Sequence, residues 1–132
     1  MENNTSIETG RAIGGALFIA LLLKLFLFDF MITEGQSMTP ALKPGSILVV
    51  NKLAYGLRFP WSDRYLLWWG MPKQGDVVIF YTPSRDLVVK RCAGLMVNHT
   101  FIALGDNRLH SYDSRSYGPI PVHNILGKVV GI

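Results

Sequence analysis

The chain has 132 residues, 13 of them Lys or Arg against 9 Asp or Glu, for a formal net charge of +4. That is length for one small domain, and without a run of five or six basic residues the excess does not point to nucleic acid. The single cysteine, Cys92, excludes an intrachain disulfide, argues against thiolate-held zinc, and reads as a small buried residue.

Residues 1–11 are polar and unpatterned and read as a frayed tail. Residues 12–32, AIGGALFIALLLKLFLFDFMI, are apolar apart from Lys24 and Asp29; as a helix they extend about 31 Å, the thickness of a bilayer's hydrocarbon. The run is longer than a signal-peptide core and no small-x-small cleavage pattern follows it, so it reads as a retained transmembrane anchor ahead of a buried hairpin helix or an interfacial helix. Lys24 is costly in mid-span unless it snorkels or pairs, and Asp29, five residues on, is badly spaced for pairing on a helix. The flanking charges set no orientation, since Arg11 stands against Glu2 and Glu8. About 100 residues, 33–132, remain for one compact domain.

Five residues past Ile32 comes Ser37, in EGQSMTPALKPGS (34–46), on a turn bounded by Gly35 and Pro40. A linker and a nucleophile held near the membrane surface both fit. Beyond it the pattern becomes strand-like. SILVVNKL (46–53), DVVIFYT (76–82), DLVVKRC (86–92), HTFIALG (99–105) and ILGKVVGI (125–132) are short, rich in Val and Ile, and bounded by turn residues. Residues 83–86, PSRD, join two of them as a hairpin. The fold class expected is a small, mostly antiparallel β domain behind one N-terminal transmembrane helix. Between the strands, 57–72 carries Phe59, Trp61, Tyr65, Trp68 and Trp69, a composition suited to a membrane–water interface, with packing in the domain core as the alternative.

A serine without a histidine partner can be activated by a neutral lysine, and burial among apolar side chains favours the neutral amine. Lys90 follows Val88 and Val89 on an expected strand, with Val88 on its own face. A strand lysine is more often solvated. His99, His110 and His123 compete for the base role but are scattered, with no metal-ligand spacing. The segment 104–121, LGDNRLHSYDSRSYGPIP, packs Asp106, Asn107, Arg108, Ser111, Asp113, Ser114 and Arg115 into ten residues, the composition of a rigid, internally hydrogen-bonded loop. From such a loop Ser111 could orient an amine.

Taken together these stretches resemble type I signal peptidases, the membrane-bound Ser–Lys proteases. SMTPAL after an apolar anchor resembles the S-M-x-P box; SILVVNKLAYGLR (46–58) resembles the strand box after it. GDVVIFYTPSRDLVVKRCAGL (75–95) resembles the lysine box, and GDNRLHSYDSRSYGPIP (105–121) the last box, all in the family's order. The resemblance implies Ser37 as nucleophile, Lys90 as general base, Ser111 as the serine positioning the amine, and Asp113 and Arg115 as a structural ion pair. It makes the Ser37 N–H one oxyanion donor. Gly35 stands where some members add a hydroxyl, so the resemblance is to the branch without it. No cofactor and no metal are implied. One departure is large: only Cys92–Leu104 separate the lysine box from the last box, where members usually carry dozens of residues and an extra β subdomain.

The implied function is removal of signal peptides from exported preproteins after small residues, Ala-x-Ala, on the extracytoplasmic side of a cell (inner) membrane. Partners would be preproteins, membrane lipid and the export machinery. Ser37 lies at most about 18 Å of extended chain from Ile32, which brings enzyme and scissile bond to one surface. An extended substrate would pair with edges near 31–35 and 86–89, its small side chains in pockets lined by Met38 and Val88. The alternatives are a specialised maturase of the same chemistry (pilin-type or organellar), a self-cleaving repressor-type protein, against which the anchor argues, and a non-catalytic anchored β module.

Overall fold

The computed structural model describes residues 2–132. Helix α1 runs Glu2–Phe26, and its stretch Asn4–Phe26 is long and apolar enough to cross a bilayer. It corrects the expected boundaries at both ends. The polar residues 2–11 form the first turns of the helix, where the Thr9 hydroxyl donates to the Thr5 carbonyl one turn back (2.7 Å). At the other end the apolar run stops being helical: β1 (Phe28–Ile32) pairs antiparallel with β2 (Ile47–Asn51), Phe28 opposite Asn51 and Ile32 opposite Ile47. The reason is the pattern itself. In FDFMI, Asp29 and Met31 alternate with three exposed apolar residues, which suits a strand; a continued helix would turn Asp29 towards hydrocarbon. Lys24 therefore sits in the last helical turn, not in mid-span, where a cation favours the helix dipole.

One residue, Leu27, separates helix from strand. The junction is tied to the domain by Lys52, whose N–H donates to the Leu27 carbonyl (2.8 Å) and whose buried ammonium donates to the Leu25 carbonyl (2.7 Å). That bond satisfies one of the carbonyls a helix end leaves open.

Among the described residues nine strands follow α1, and the mostly antiparallel β class is as expected. β3 (Gly56–Arg58) and β4 (Tyr65–Trp68) form a small separate ribbon. The other strands are β5 (Val77–Tyr81), β6 (Leu87–Met96), β7 (Thr100–Leu104), β8 (Ile120–Pro121) and β9 (Ile125–Val129). They join β1 and β2 in one sheet ordered β1-β2-β9-β5-β6-β7-β8. All its pairings are antiparallel.

Alternation along these strands builds two apolar clusters. Val78, Phe80, Cys92, Phe101, Ala103, Ile120 and Ile125 make one; Met38, Leu42, Leu48, Val50, Val77, Ile79 and Val129 make the other. The aromatic segment stays largely outside both, with Trp61, Leu67 and Trp69 exposed and Phe59 stacked on Trp61 and edge-on to Phe26 of α1.

One detail of register shapes the site. β6 pairs with β5 over its whole first half, Leu87 opposite Tyr81 and Lys90 opposite Val78. Its pairing with β7 starts only at Arg91, opposite Leu104. Over 87–90 the second edge of β6 has no partner strand among the described residues.

Candidate active site

Ser37 lies on the turn after β1, beside that open edge. The turn is fixed on several sides. Met38 and Leu42 are buried in the second cluster, and the Leu42 N–H donates to the Met38 carbonyl (2.8 Å). Thr33, just before the turn, is buried; its hydroxyl donates to the Lys43 carbonyl (2.7 Å) and accepts from the Ser46 N–H (3.0 Å), which closes the loop 33–46. From the opposite side the Asn107 N–H donates to the Ser37 carbonyl (2.9 Å) and the Asn107 amide to the Thr39 hydroxyl (3.1 Å).

Lys90 reaches the turn from β6. Its Nζ is 2.6 Å from Ser37 Oγ, and the side chain is 5% exposed. Burial pushes the amine's pKa down, against an opposing pull from the Asp113 carboxylate. A neutral amine at that distance can take the hydroxyl proton. The Ser37 N–H has no hydrogen-bond partner among the described residues and is left free beside Oγ.

Asp113 organises the loop behind the pair. It is fully buried, and its carboxylate accepts from the Gly105 N–H (2.9 Å), the Ser111 hydroxyl (2.8 Å), and Nε (2.9 Å) and Nη2 (3.0 Å) of Arg115. It also caps the short helix α2 (Ser114–Tyr117) through the Arg115 N–H (3.1 Å). Burial alone would raise its pKa, but the Arg115 guanidinium and the donors from Gly105 and Ser111 hold it well below the usual carboxylate range.

Gly105 is where the loop meets the turn. A Cβ there would come to 2.5 Å from Ser111 Cβ and 2.6 Å from the Ser37 carbonyl oxygen. Only a residue without a side chain lets the two segments approach this closely. Gly35 is needed for a different reason: its φ of +75° lies in the left-handed region, although a Cβ there would meet nothing.

Not every residue singled out in the sequence sits as expected. Ser111 is beside the site, but its hydroxyl donates to Asp113 and not to the Lys90 amine. Met38 is 3% exposed and packs in the core beneath the turn, so it does not line the cleft as expected, because the turn directs it inward with Leu42. Val88 does line the cleft. None of the three histidines hydrogen-bonds Ser37 among the described residues; His110 faces Asn107 Oδ1 at 3.3 Å.

Sequence reasoning also missed partners. Arg91, next to Lys90, forms a two-point ion pair with Asp106 (2.8 Å each), and its Nη1 donates to the Gly75 carbonyl (2.9 Å). The adjacent letters VKR and GDN held that signal, a base and an acid each one residue from a site group.

A cleft of about 210 Å³ opens at Ser37 and Lys90, walled by Met31, Ile32, Thr33 and Glu34 on one side and Leu87, Val88 and Val89 on the other, over Leu48 and Ile79. Larger hollows lie beside Arg58, Arg85 and His123 (about 450 Å³) and beside Pro40, Arg91 and Arg108 (about 610 Å³); neither includes Ser37 or Lys90. The smaller cleft holds the reactive groups.

A serine hydroxyl against a buried lysine, on a small antiparallel sheet joined to an apolar helix, defines a candidate serine hydrolase site. Comparison with known sequences names the family. The signal peptidase, peptidase S26 family matches residues 6–99 and 96–132, and the chain belongs to it. It is 35% identical over 130 residues to signal peptidase I of Pseudomonas aeruginosa, covering 95% of this chain and 43% of that protein. It is 41% identical over 92 residues to signal peptidase I of Pseudomonas fluorescens, covering 67% and 32% respectively. With signal peptidase I of Bacillus caldolyticus it shares 26% identity over 164 residues, covering 86% and 84%. The chain thus spans less than half the length of the two Pseudomonas relatives.

Proposed function

We propose that this chain is a membrane-anchored serine endopeptidase that removes N-terminal signal peptides, with Ser37 as nucleophile and Lys90 as general base. The observation that carries the reading is the 2.6 Å approach of a buried amine to a serine hydroxyl at the end of a peptide-sized cleft. The neutral Lys90 amine takes the hydroxyl proton as Oγ attacks the scissile carbonyl. The Ser37 N–H donates to the oxyanion that forms. Collapse breaks the C–N bond, Lys90 returns the proton to the leaving amine, and Ser37 holds the acyl group as an ester. Water, deprotonated by Lys90, then hydrolyses the ester and restores both side chains.

The other residues serve this chemistry by positioning. Ser111 commits its proton to Asp113 and so has only lone pairs to offer an amine N–H. Asp113 and Arg115 brace the loop that carries it. The substrate lies extended between residues 31–34 and the open edge of β6, its alternate side chains directed into the cleft. A cleft of about 210 Å³ with Val88 on its wall suits small side chains such as those of Ala-x-Ala.

Residues 4–26 cross the membrane in this reading, the catalytic domain lies on the extracytoplasmic side, and exposed Trp61, Leu67 and Trp69 rest in the headgroup layer. The test is cleavage of an Ala-x-Ala preprotein in detergent by the wild type and by Lys90→Ala. Cutting at that site by the wild type alone is expected. A folded wild type that leaves the site intact refutes general signal-peptide removal and moves a dedicated maturation protease ahead.

A further inference from the structure

Among the described residues Glu34 is the one acidic residue lining the cleft. Thr33 before it is buried and bonded inward, whereas Glu34 is exposed at the mouth. Its carboxylate has neither a hydrogen bond nor an ion pair among the described residues; Lys43, across the loop, does not pair with it. The other charged group, Lys90, is neutral when it works as a base. The cleft's open side therefore carries a single unneutralised negative charge.

Resting on the proposed function, we infer that Glu34 reads the middle residue of the Ala-x-Ala site and favours a basic side chain there. An extended substrate runs parallel to 31–34, since both chains lead N-to-C towards Ser37. Side chains alternate along an extended chain, so when the first and third residues before the scissile bond enter the cleft, the second faces out. Thr33 and Glu34 alternate in the same sense, inward and then outward. The middle side chain and Glu34 thus share one face, at the range where an exposed pair of opposite charges attracts and a like pair repels.

The test uses three peptides identical except for Lys, Gln or Glu at the middle position, cleaved in competition by the full chain in detergent. An exposed pair at low salt changes kcat/KM by about two- to fivefold per step. The wild type is expected to prefer Lys over Gln over Glu, Glu34→Gln to cut all three alike, and Glu34→Lys to reverse the order. Binding of the same peptides to Ser37→Ala, followed by fluorescence anisotropy, should show the same order without turnover. Equal cleavage of the three by the wild type, or an order that survives in Glu34→Gln, overturns the inference and leaves the proposed function standing. Failure to cut any of them by a folded wild type overturns both.

Discussion

Replacing Gly105 by alanine tests whether the site depends on the closeness of two backbone segments and not only on its reactive side chains. The new Cβ would lie 2.6 Å from the Ser37 carbonyl oxygen, where ordinary contact begins at 3.4 Å. The Ser37 carbonyl would therefore have to give by about 0.8 Å, the difference of those two distances, and Ser111, whose Cβ would lie 2.5 Å away, by about 0.9 Å. Ser111 cannot yield freely, because its hydroxyl is held by Asp113, and the Gly105 N–H is held by the same carboxylate. Part of the displacement therefore falls on the turn bearing Ser37, and any shift there lengthens the 2.6 Å approach to Lys90. A misplacement near 1 Å costs on the order of a hundredfold in rate, and the overpacking costs about 1–3 kcal/mol of stability. Gly105 has no left-handed φ, so the penalty is steric. Steady-state kinetics on an Ala-x-Ala peptide should show the loss in kcat, with KM little changed. A variant that keeps kcat within about threefold of wild type while losing no stability refutes the packing argument.

Lys90→Met should abolish cleavage yet leave the domain folded and at least as stable at pH 7, since an apolar chain of similar length replaces a group whose ionisation burial disfavours; thermal unfolding in detergent checks it. The wild-type rate should rise with pH and level off below the ordinary lysine pKa, because burial lowers that of Lys90, and a rate flat from pH 5 to 10 refutes a titrating lysine. Asp113→Ala should cost about 3 kcal/mol, the sum of a lost helix cap and an orphaned buried N–H at Gly105, seen as a lower urea midpoint. Because the Asp113 carboxyl is held below its unfolded value, its contribution is complete above about pH 4 and is lost as the pH falls further, so the wild-type advantage over Asp113→Ala should shrink in acid. Lys52→Met should free the Leu25 carbonyl and cost about 1 kcal/mol, with faster amide exchange confined to the last turn of α1.

The strands were legible because Val and Ile runs between turn residues leave little choice of conformation, and 77–81 and 125–129 formed within the expected limits. The end of the anchor was not, since hydropathy does not distinguish a helix entering lipid from an exposed-face strand such as FDFMI; only the ladder to β2 decides that. Ser37 and Lys90 were joined as a pair only by the resemblance of their boxes to the family's, since their meeting depends on contacts 53 residues apart in sequence. Met38 misled because its neighbour is the serine: on a tight turn adjacent side chains point opposite ways, and this one fills the core. Arg91 and Asp106 stood beside site residues in VKR and GDN, but their pairing across 15 residues, like the exposure of Glu34 at the cleft mouth, is a property of tertiary placement.

With only Leu27 between α1 and β1, and Lys52 bonded to the end of the helix, the strand that leads to the cleft wall at 31–34 follows directly on the helix. If α1 spans the bilayer as proposed, a helix answers a thicker or thinner membrane by changing its tilt. A connection this short passes part of that tilt on as a change in the height of Ser37 above the hydrocarbon. Under the proposed function, the thickness of the host membrane then becomes a setting of the enzyme, selecting which bond of an equally anchored preprotein comes level with Ser37.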